Sequence, residues 1–484
     1  MRIDGLIIIP AKTESRSYVT QEENFTQKGN VTIMERFFKL KENNTDVRTE
    51  VIGGITTFMT MAYILAVNPS MLSVAGIDPT AALIATCLAS FVGTMCMALM
   101  ANYPFALAPG MGLNAYFAYT VCIGMGYVWR IALAAVAAEG VVFIVLSLTN
   151  VREAIFNAIP ATLKKGVTAG IGLFIAFIGL QGAKIVVNSD STLLTYVNFR
   201  ANFHTEGICA ILALIGLFII IVLHIKGVKA AILIGIIATW VLGMLAQAIG
   251  LYQVTPDAGF YSLYPSLGIT DFSKFGETFG QVFKADFSGV SITNFIVVLF
   301  AFLFVDIFDT IGTLVGVATK ADMLDKDGKL PRIKPALLAD AIATLVGAIV
   351  GTSTTTTFVE SSAGVGAGAR TGLSSVVTGL LFLLAIFFAP IFTAVPGFAT
   401  APALIFVGFL MVTAIVDVDF NDLSEAIPAY LCLLAMPLMY SISEGISIGV
   451  ISYVIINVCC GTAKKITPLM YILTLLFIAK YVFL

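Results

Sequence analysis

Pro104-Phe-Ala-Leu-Ala-Pro-Gly-Met-Gly-Leu-Asn-Ala-Tyr-Phe117 and Gly351-Thr-Ser-Thr-Thr-Thr-Thr-Phe-Val-Glu-Ser-Ser-Ala-Gly-Val-Gly-Ala-Gly368 are the two stretches on which the fold turns. In the first, Pro104 and Pro109 remove backbone donors and favour extended chain before them. Gly110 and Gly112 then permit close approach, and helix resumes towards Tyr116. In the second, the hydroxyl residues Thr352 to Thr357 are β-branched or compete with the backbone, so they read as extended. A short helix is expected from Glu360 to Gly368. Both stretches lie among long apolar runs, yet each is too short to cross a bilayer as helix. Irregular backbone at membrane depth is tolerated only where protein or a water-filled cavity surrounds it. One such break in each half of a chain marks a transporter site near the bilayer midplane. Taken singly, either break also reads as a Gly/Pro kink that aids packing. Paired across halves, with Glu360 in one, they favour the site.

The surrounding composition fits. Of 484 residues, 58% are hydrophobic and 12% charged, and the net charge is −2; mean hydropathy is +0.97. Residues 1–50 hold 16 of the charges, so the remainder cannot clothe a water-exposed surface. The chain therefore reads as an all-α polytopic membrane protein. Two histidines and seven cysteines without a C-x-x-C pair argue against a metal centre. Dispersed basic residues leave no nucleic-acid footprint.

Residues 1–50 read as a cytosolic tail with an interfacial helix near 33–40. Residues 51–249 hold seven apolar segments, 250–292 form a polar linker outside, and 293–484 hold the second set. Counting Lys and Arg in short loops with the N-terminus inside gives 13 cytosolic, from Arg152 to Lys465, against 5 outside, the expected bias. Seven segments per half is odd, so the second half enters from the opposite side and an inverted repeat is natural. The last stretch, 467–484, is a fifteenth apolar segment that this count does not place.

Acids inside apolar runs carry the chemistry. Asp306 and Asp309 are three apart on one helical face, with Thr310 and Thr313 continuing the polar stripe and no Lys or Arg in that run. An Asp near the bilayer centre costs about 2.5–3.5 kcal/mol on insertion scales, so idle acids there are selected against. The structural alternative is a helix cap or a bundle ion pair. Asp340 lies early in the next helix, where a packing hydrogen bond is equally natural. Glu139 and Asn114 also fit interhelical hydrogen bonding. Buried carboxylates accept N–H bonds from a neutral solute and can carry a proton, which together describe a proton-coupled symporter. Phe105, Phe117, Phe304, Phe308 and Phe358 flank the same segments and are candidates to stack on a planar ring.

The runs Thr49-Glu-Val-Ile-Gly-Gly-Ile-Thr-Thr-Phe58, Met61-Ala-Tyr-Ile-Leu-Ala-Val-Asn-Pro69, Ala108-Pro-Gly-Met-Gly-Leu-Asn-Ala-Tyr-Phe117, Phe308-Asp-Thr-Ile-Gly-Thr313 and Thr354-Thr-Thr-Thr-Phe-Val-Glu360 resemble the azaguanine-type purine permeases. That group sits within the nucleobase–cation symporters, with the xanthine and uracil permeases, and the resemblance runs from about residue 34 to the C-terminus. It implies about 14 segments in a seven-plus-seven inverted repeat, divided into core and gate domains. Segments three and ten, each a short strand before a half-helix, would meet around the base. The resemblance further implies proton-coupled uptake of guanine, hypoxanthine or adenine across the plasma membrane, a bacterial inner membrane, with the proton as coupling ion and no cofactor. Substrate contacts are then expected from Asp306, Asp309, Glu360, Asn114, Thr357, Phe358 and Phe308, and proton coupling from Asp306, Asp309 and Asp340. A homodimer through the gate domain is the family's frequent assembly. Segment eight carries Asp where the xanthine and uracil branches favour Glu, which supports the purine branch.

Other functions fare worse. An anion transporter of the sulfate or bicarbonate type on the same architecture would want cations rather than embedded acids. Enzymatic roles lack their motifs: there is no Gly-x-Gly-Asp and no Walker A sequence.

Overall fold

The computed structural model describes residues 33–149, 159–189, 191–256, 259–265, 268–321, 323–325 and 330–483. Residues 1–32 of the expected tail, Arg152, Lys326, Lys329 and the side chain of Phe308 lie outside the described residues.

The architecture is helical. Among the described residues, eleven helices are long and apolar enough to span a membrane, from Val47–Val74 to Ile442–Cys459. Two shorter apolar helices, Leu423–Leu438 and Pro468–Ala479, accompany them. Their outer faces are apolar in the way a bilayer requires: Phe218 and Val222 on one helix, and Ile237, Val241 and Leu245 on the next, are exposed at helical spacing. In water such stripes would be a liability; in lipid they are the solvated surface. The chain is a multi-pass membrane protein.

Among the described residues four short strands interrupt the helices: β1 (Leu107–Pro109), β2 (Val186–Ser189), β3 (Leu193–Tyr196) and β4 (Thr355–Thr357). Strands β2 and β3 form an antiparallel hairpin in the loop before the helix at Ile208, a feature the apolar segmentation does not predict. Strands β1 and β4 pair antiparallel across the two halves of the chain. The linker after residue 249 folds into short 3-10 turns at Phe272–Glu277 and Gln281–Lys284. There Lys274 pairs with Glu277 at 2.7 Å and Asp78 at 3.7 Å, partners that hold its ammonium above the usual range.

Helices pack in two sets. One joins Ala161–Gly182 to Gly397–Val412 and Leu423–Leu438, with Ile208–Ile225, Ala231–Ala248 and Ile442–Cys459 alongside. The other joins Val47–Met61, Pro79–Cys96, Trp129–Leu148, Ile333–Val350 and Gly372–Ala385. Lipid tails are as apolar as leucine, so close backbone approach through small residues, rather than hydrophobic expulsion, holds such pairs. At one crossing Gly172 faces Gly408: a Cβ at Gly172 would lie 2.6 Å from the Gly408 carbonyl oxygen and equally close to the Met411 Cβ.

Candidate functional site

The two broken segments meet. Leu107 opposes Thr357, Ala108 opposes Thr356 and Pro109 opposes Thr355. The ladder extends at both ends, with Gly110 N–H donating to the Thr354 carbonyl and Phe358 N–H to that of Ala106, each at 3.0 Å. Half-helices follow: Met111–Ala115, which widens into a π-type turn over Tyr116–Gly124, and Ser361–Gly366. All residues from Tyr103 to Asn114 are buried, as are Thr352 to Phe358. Two strands of three residues bury few polar groups and would leave most of their backbone orphaned if each stood alone; paired, they satisfy each other.

The hydroxyl run is tied down from several helices at once. Asn68 Nδ2 donates to Thr86 Oγ1 at 2.7 Å and to Thr352 Oγ1 at 3.1 Å. Ser353 donates to Asn114 Oδ1. Thr354 donates to Glu139 Oε2 at 2.6 Å. Thr344 reaches the Thr355 carbonyl at 3.0 Å, and Thr356 Oγ1 lies 2.7 Å from Thr310 Oγ1. Two buried hydroxyls of the run, on Thr355 and Thr357, have no hydrogen-bond partner among the described residues. Buried polar atoms left this way are uncommon.

The acids separate into distinct settings. Asp306 and Asp340 are fully buried and share one hydroxyl: Thr310 Oγ1 lies 2.8 Å from Asp306 Oδ1 and 3.0 Å from both Asp340 oxygens. Asp309 and Glu360, by contrast, are part-exposed. Asp309 stands against the start of the first half-helix, where a Cβ added at Gly110 would sit 3.3 Å from its Oδ2. Glu360 closes the second extended run as the residue before its half-helix, and it accepts from Tyr63 Oη at 2.6 Å. Asn114 is buried, with Nδ2 donating to the Pro109 carbonyl at 3.3 Å. The structure thus gathers Asp309, Glu360, Asn114, Thr357 and Phe358 around one strand crossing, with Asp306 and Asp340 behind it. Phe308 is placed by its backbone alone, on the helix that carries Asp306 and Asp309. Phe105 is stacked on Tyr103, centroids 5.0 Å apart, and Phe304 faces Phe477 at 6.4 Å.

Gly110 carries a direct test of this geometry. A Cβ there would approach Thr356 Cγ2 to 2.6 Å and Leu113 Cδ1 to 3.2 Å, so Gly110→Ala must push the half-helix off the strand. Overpacking of this kind costs about 1–3 kcal/mol. The expected result is a folded protein whose substrate affinity falls about tenfold or more; wild-type affinity in Gly110→Ala would show that the crossing yields freely.

Three participants escape a reading of the sequence. Tyr63 is one of 15 tyrosines. Asn68 precedes a proline and looks like a packing residue. Glu50 looks like the end of a charged tail, yet it is fully buried and accepts from the backbone N–H of Arg370, Thr371 and Ser374 at 2.8, 3.2 and 3.1 Å. All three lie inside the runs that carry the resemblance, but no local chemistry assigns them a role, because each meets a partner hundreds of residues away.

Comparison with known proteins bears on what such a crossing does. The Xan_ur_permease model, described as a permease family, matches residues 48–448. A putative permease of Methanocaldococcus jannaschii, MJ0326, is 48% identical over 452 residues, covering 93% of this chain and 98% of the relative. The adenine permease AdeP of Escherichia coli is 40% identical over 95% of this chain and 98% of its own. The guanine/hypoxanthine permease PbuG of Bacillus subtilis is 45% identical over 93% of this chain and 100% of its own. Among solved structures, the transmembrane domain of a cyanobacterial bicarbonate transporter, BicA, superposes with TM-score 0.59 at 14% identity, covering 83% of this chain and 97% of that one. SLC26A9 superposes with TM-score 0.57 at 11% identity, covering 94% and 73%. These two likenesses concern the fold.

Proposed function

Since the chain belongs to the permease family matched over residues 48–448, and is a transporter rather than an enzyme, we propose that it is a secondary active transporter taking up purine nucleobases with protons. The observation that carries this reading is the division of acids at the strand crossing: Asp309 and Glu360 part-exposed beside it, Asp306 and Asp340 sealed behind it. A purine is a flat neutral ring with N–H donors along its edges, and carboxylates at a desolvated site accept such donors strongly. In this reading Asp309 and Glu360 take the base's N–H groups, Asn114 and the Thr357 hydroxyl supply further polar contacts, and Phe358 flanks the ring. The names of AdeP and PbuG support adenine, guanine and hypoxanthine as the substrate class.

Proton coupling is supported by a count of hydrogens. Thr310 Oγ1 has three oxygen-bearing partners, Asp306, Asp340 and Thr356, all within 3.0 Å. A hydroxyl donates once and accepts twice. If Thr356 donates to Thr310, the single Thr310 hydrogen is left between two carboxyl groups, a crowding that a proton held on one of them would relieve. We therefore assign one transported proton to the Asp306/Asp340 pair. Asp340→Asn is expected to keep base-for-base exchange while flattening the dependence of net uptake on external pH. A pH profile like the wild type's would remove Asp340 from coupling.

The antiparallel pairing of β1 with β4 and the two packing sets support an inverted repeat with core and gate domains, in which the second set of helices carries the crossing and the first rocks against it. The excess of Lys and Arg in alternate loops supports a cytoplasmic N-terminus in the plasma membrane, and a homodimer through the gate set is the assembly this reading expects. The test is uptake of labelled hypoxanthine, guanine and adenine by cells lacking their own permeases. Uptake that a protonophore abolishes is the expected result; protonophore-insensitive uptake would refute the coupling.

The fold likeness to BicA and SLC26A9 favours one other reading, anion transport. Embedded acids at the crossing repel an anion, so no bicarbonate or sulfate flux is expected.

A further inference from the structure

We propose that Tyr63 is a positioning residue of the substrate site: its phenol holds the Glu360 carboxylate in one orientation, committing one oxygen and presenting the other to the base. The inference rests on the reading of Glu360 as a substrate ligand.

The first span shows how Tyr63 comes to be there. Its helix runs Val47–Met61, breaks, and resumes as Ile64–Val74. Pro69 lies inside the helix that resumes, where it withholds an N–H from the Leu65 carbonyl. At the break itself the chain tightens, with Leu65 N–H bonding the Ala62 carbonyl three residues earlier and both Ala66 and Val67 turning to the Tyr63 carbonyl. Tyr63 sits at the discontinuity, 1% exposed, and its hydroxyl donates to Glu360 Oε1 at 2.6 Å. Thr60, one turn earlier, bonds the carbonyls of its own helix and reaches the Glu360 carbonyl at 3.4 Å. The first span therefore touches Glu360 at both its side chain and its backbone.

Glu360 needs such a tether. It follows an extended run and precedes a helix of six residues, and among the described residues Tyr63 is the side chain that bonds its carboxylate. A glutamate on a two-carbon stem otherwise samples many rotamers, and ordering it on binding weakens affinity. A phenol that donates to Oε1 removes that cost beforehand. It also limits what Glu360 can read. With Oε1 committed, Oε2 accepts from one ring N–H, whereas a neighbouring pair of donors would have to compete with the phenol.

The test is Tyr63→Phe, which keeps the ring and deletes the donor. Expected is a rise of about tenfold in KM for purine uptake with Vmax unchanged per molecule at the surface, the scale of one charge-assisted hydrogen bond. Purine binding to purified protein closes a cycle with Glu360→Gln: the Tyr63→Phe effect disappears in that background if the phenol acts through the carboxylate. An unchanged KM overturns the proposal. So does an equal loss in both backgrounds, which marks a packing role. Should Tyr63→Phe alone fail to reach the membrane, the double variant, with no ionised partner left unpaired, is compared with Glu360→Gln alone. Equal affinities support the proposal and a further loss overturns it. A wild type that takes up no purine would instead defeat the functional reading, leaving the two failures distinct.

Discussion

Glu360→Ala is expected to lower purine uptake about a hundredfold while leaving the protein in the membrane at wild-type amounts. The magnitude follows from the asymmetry of hydrogen bonding at buried sites. Removing the acceptor strands the base's N–H donor in a desolvated pocket, at about 1.5–3 kcal/mol for a bond to a charged group, and every 1.4 kcal/mol is tenfold. A second contribution comes from Tyr63, whose buried hydroxyl loses its partner in the same change. The protein should nonetheless fold, because Glu360 is part-exposed and the half-helix after it depends on the strand pairing rather than on this side chain. Initial uptake rates normalised to surface amount are the measurement. A variant with more than half the wild-type rate would remove Glu360 from the site.

Glu50→Ala should act on stability instead, and severely. The Glu50 carboxylate collects three backbone N–H groups around the start of the helix Gly372–Ala385, from Arg370, Thr371 and Ser374. First-turn amides have no partner within their own helix, and a negative charge beside them is further favoured by the helix dipole. Stripped of their acceptor, the buried Thr371 and Ser374 donors each cost about 1–3 kcal/mol, with a smaller loss at the part-buried Arg370, a total comparable with the net stability of a typical domain. Glu50→Ala is thus expected to be absent from the membrane or to melt far below wild type in detergent. Glu50→Gln, which keeps one acceptor oxygen, should fall between. Melting of Glu50→Ala at the wild-type temperature would show that water or another group replaces the carboxylate.

How much of this the chain discloses before it folds depends on how local the cause is. Proline, glycine and a run of hydroxyl residues act within a few positions, so both strands were expected where β1 and β4 stand. An acid among leucines and phenylalanines is costly wherever its helix lies, so Asp306 and Asp309 stand out at once, and Glu360 does so by closing the hydroxyl run. What the acids do next is not local. Whether Asp306 or Asp309 is sealed follows from Thr310 meeting Asp340 and Thr356 on two other elements. Asn114 finds Ser353 in the other half of the chain, and Tyr63 finds Glu360 nearly 300 positions away. Aromatic residues are the least legible: Phe105 flanks the break as a stacking residue should, yet its face is taken by Tyr103.

Purified protein in liposomes offers the most direct test of the central claim. With an inward proton gradient and no other ion gradient, labelled hypoxanthine, guanine or adenine should accumulate above its external concentration and leak back when a protonophore is added. Purine that merely equilibrates, or a gradient-driven flux of bicarbonate or sulfate in its place, would contradict the account.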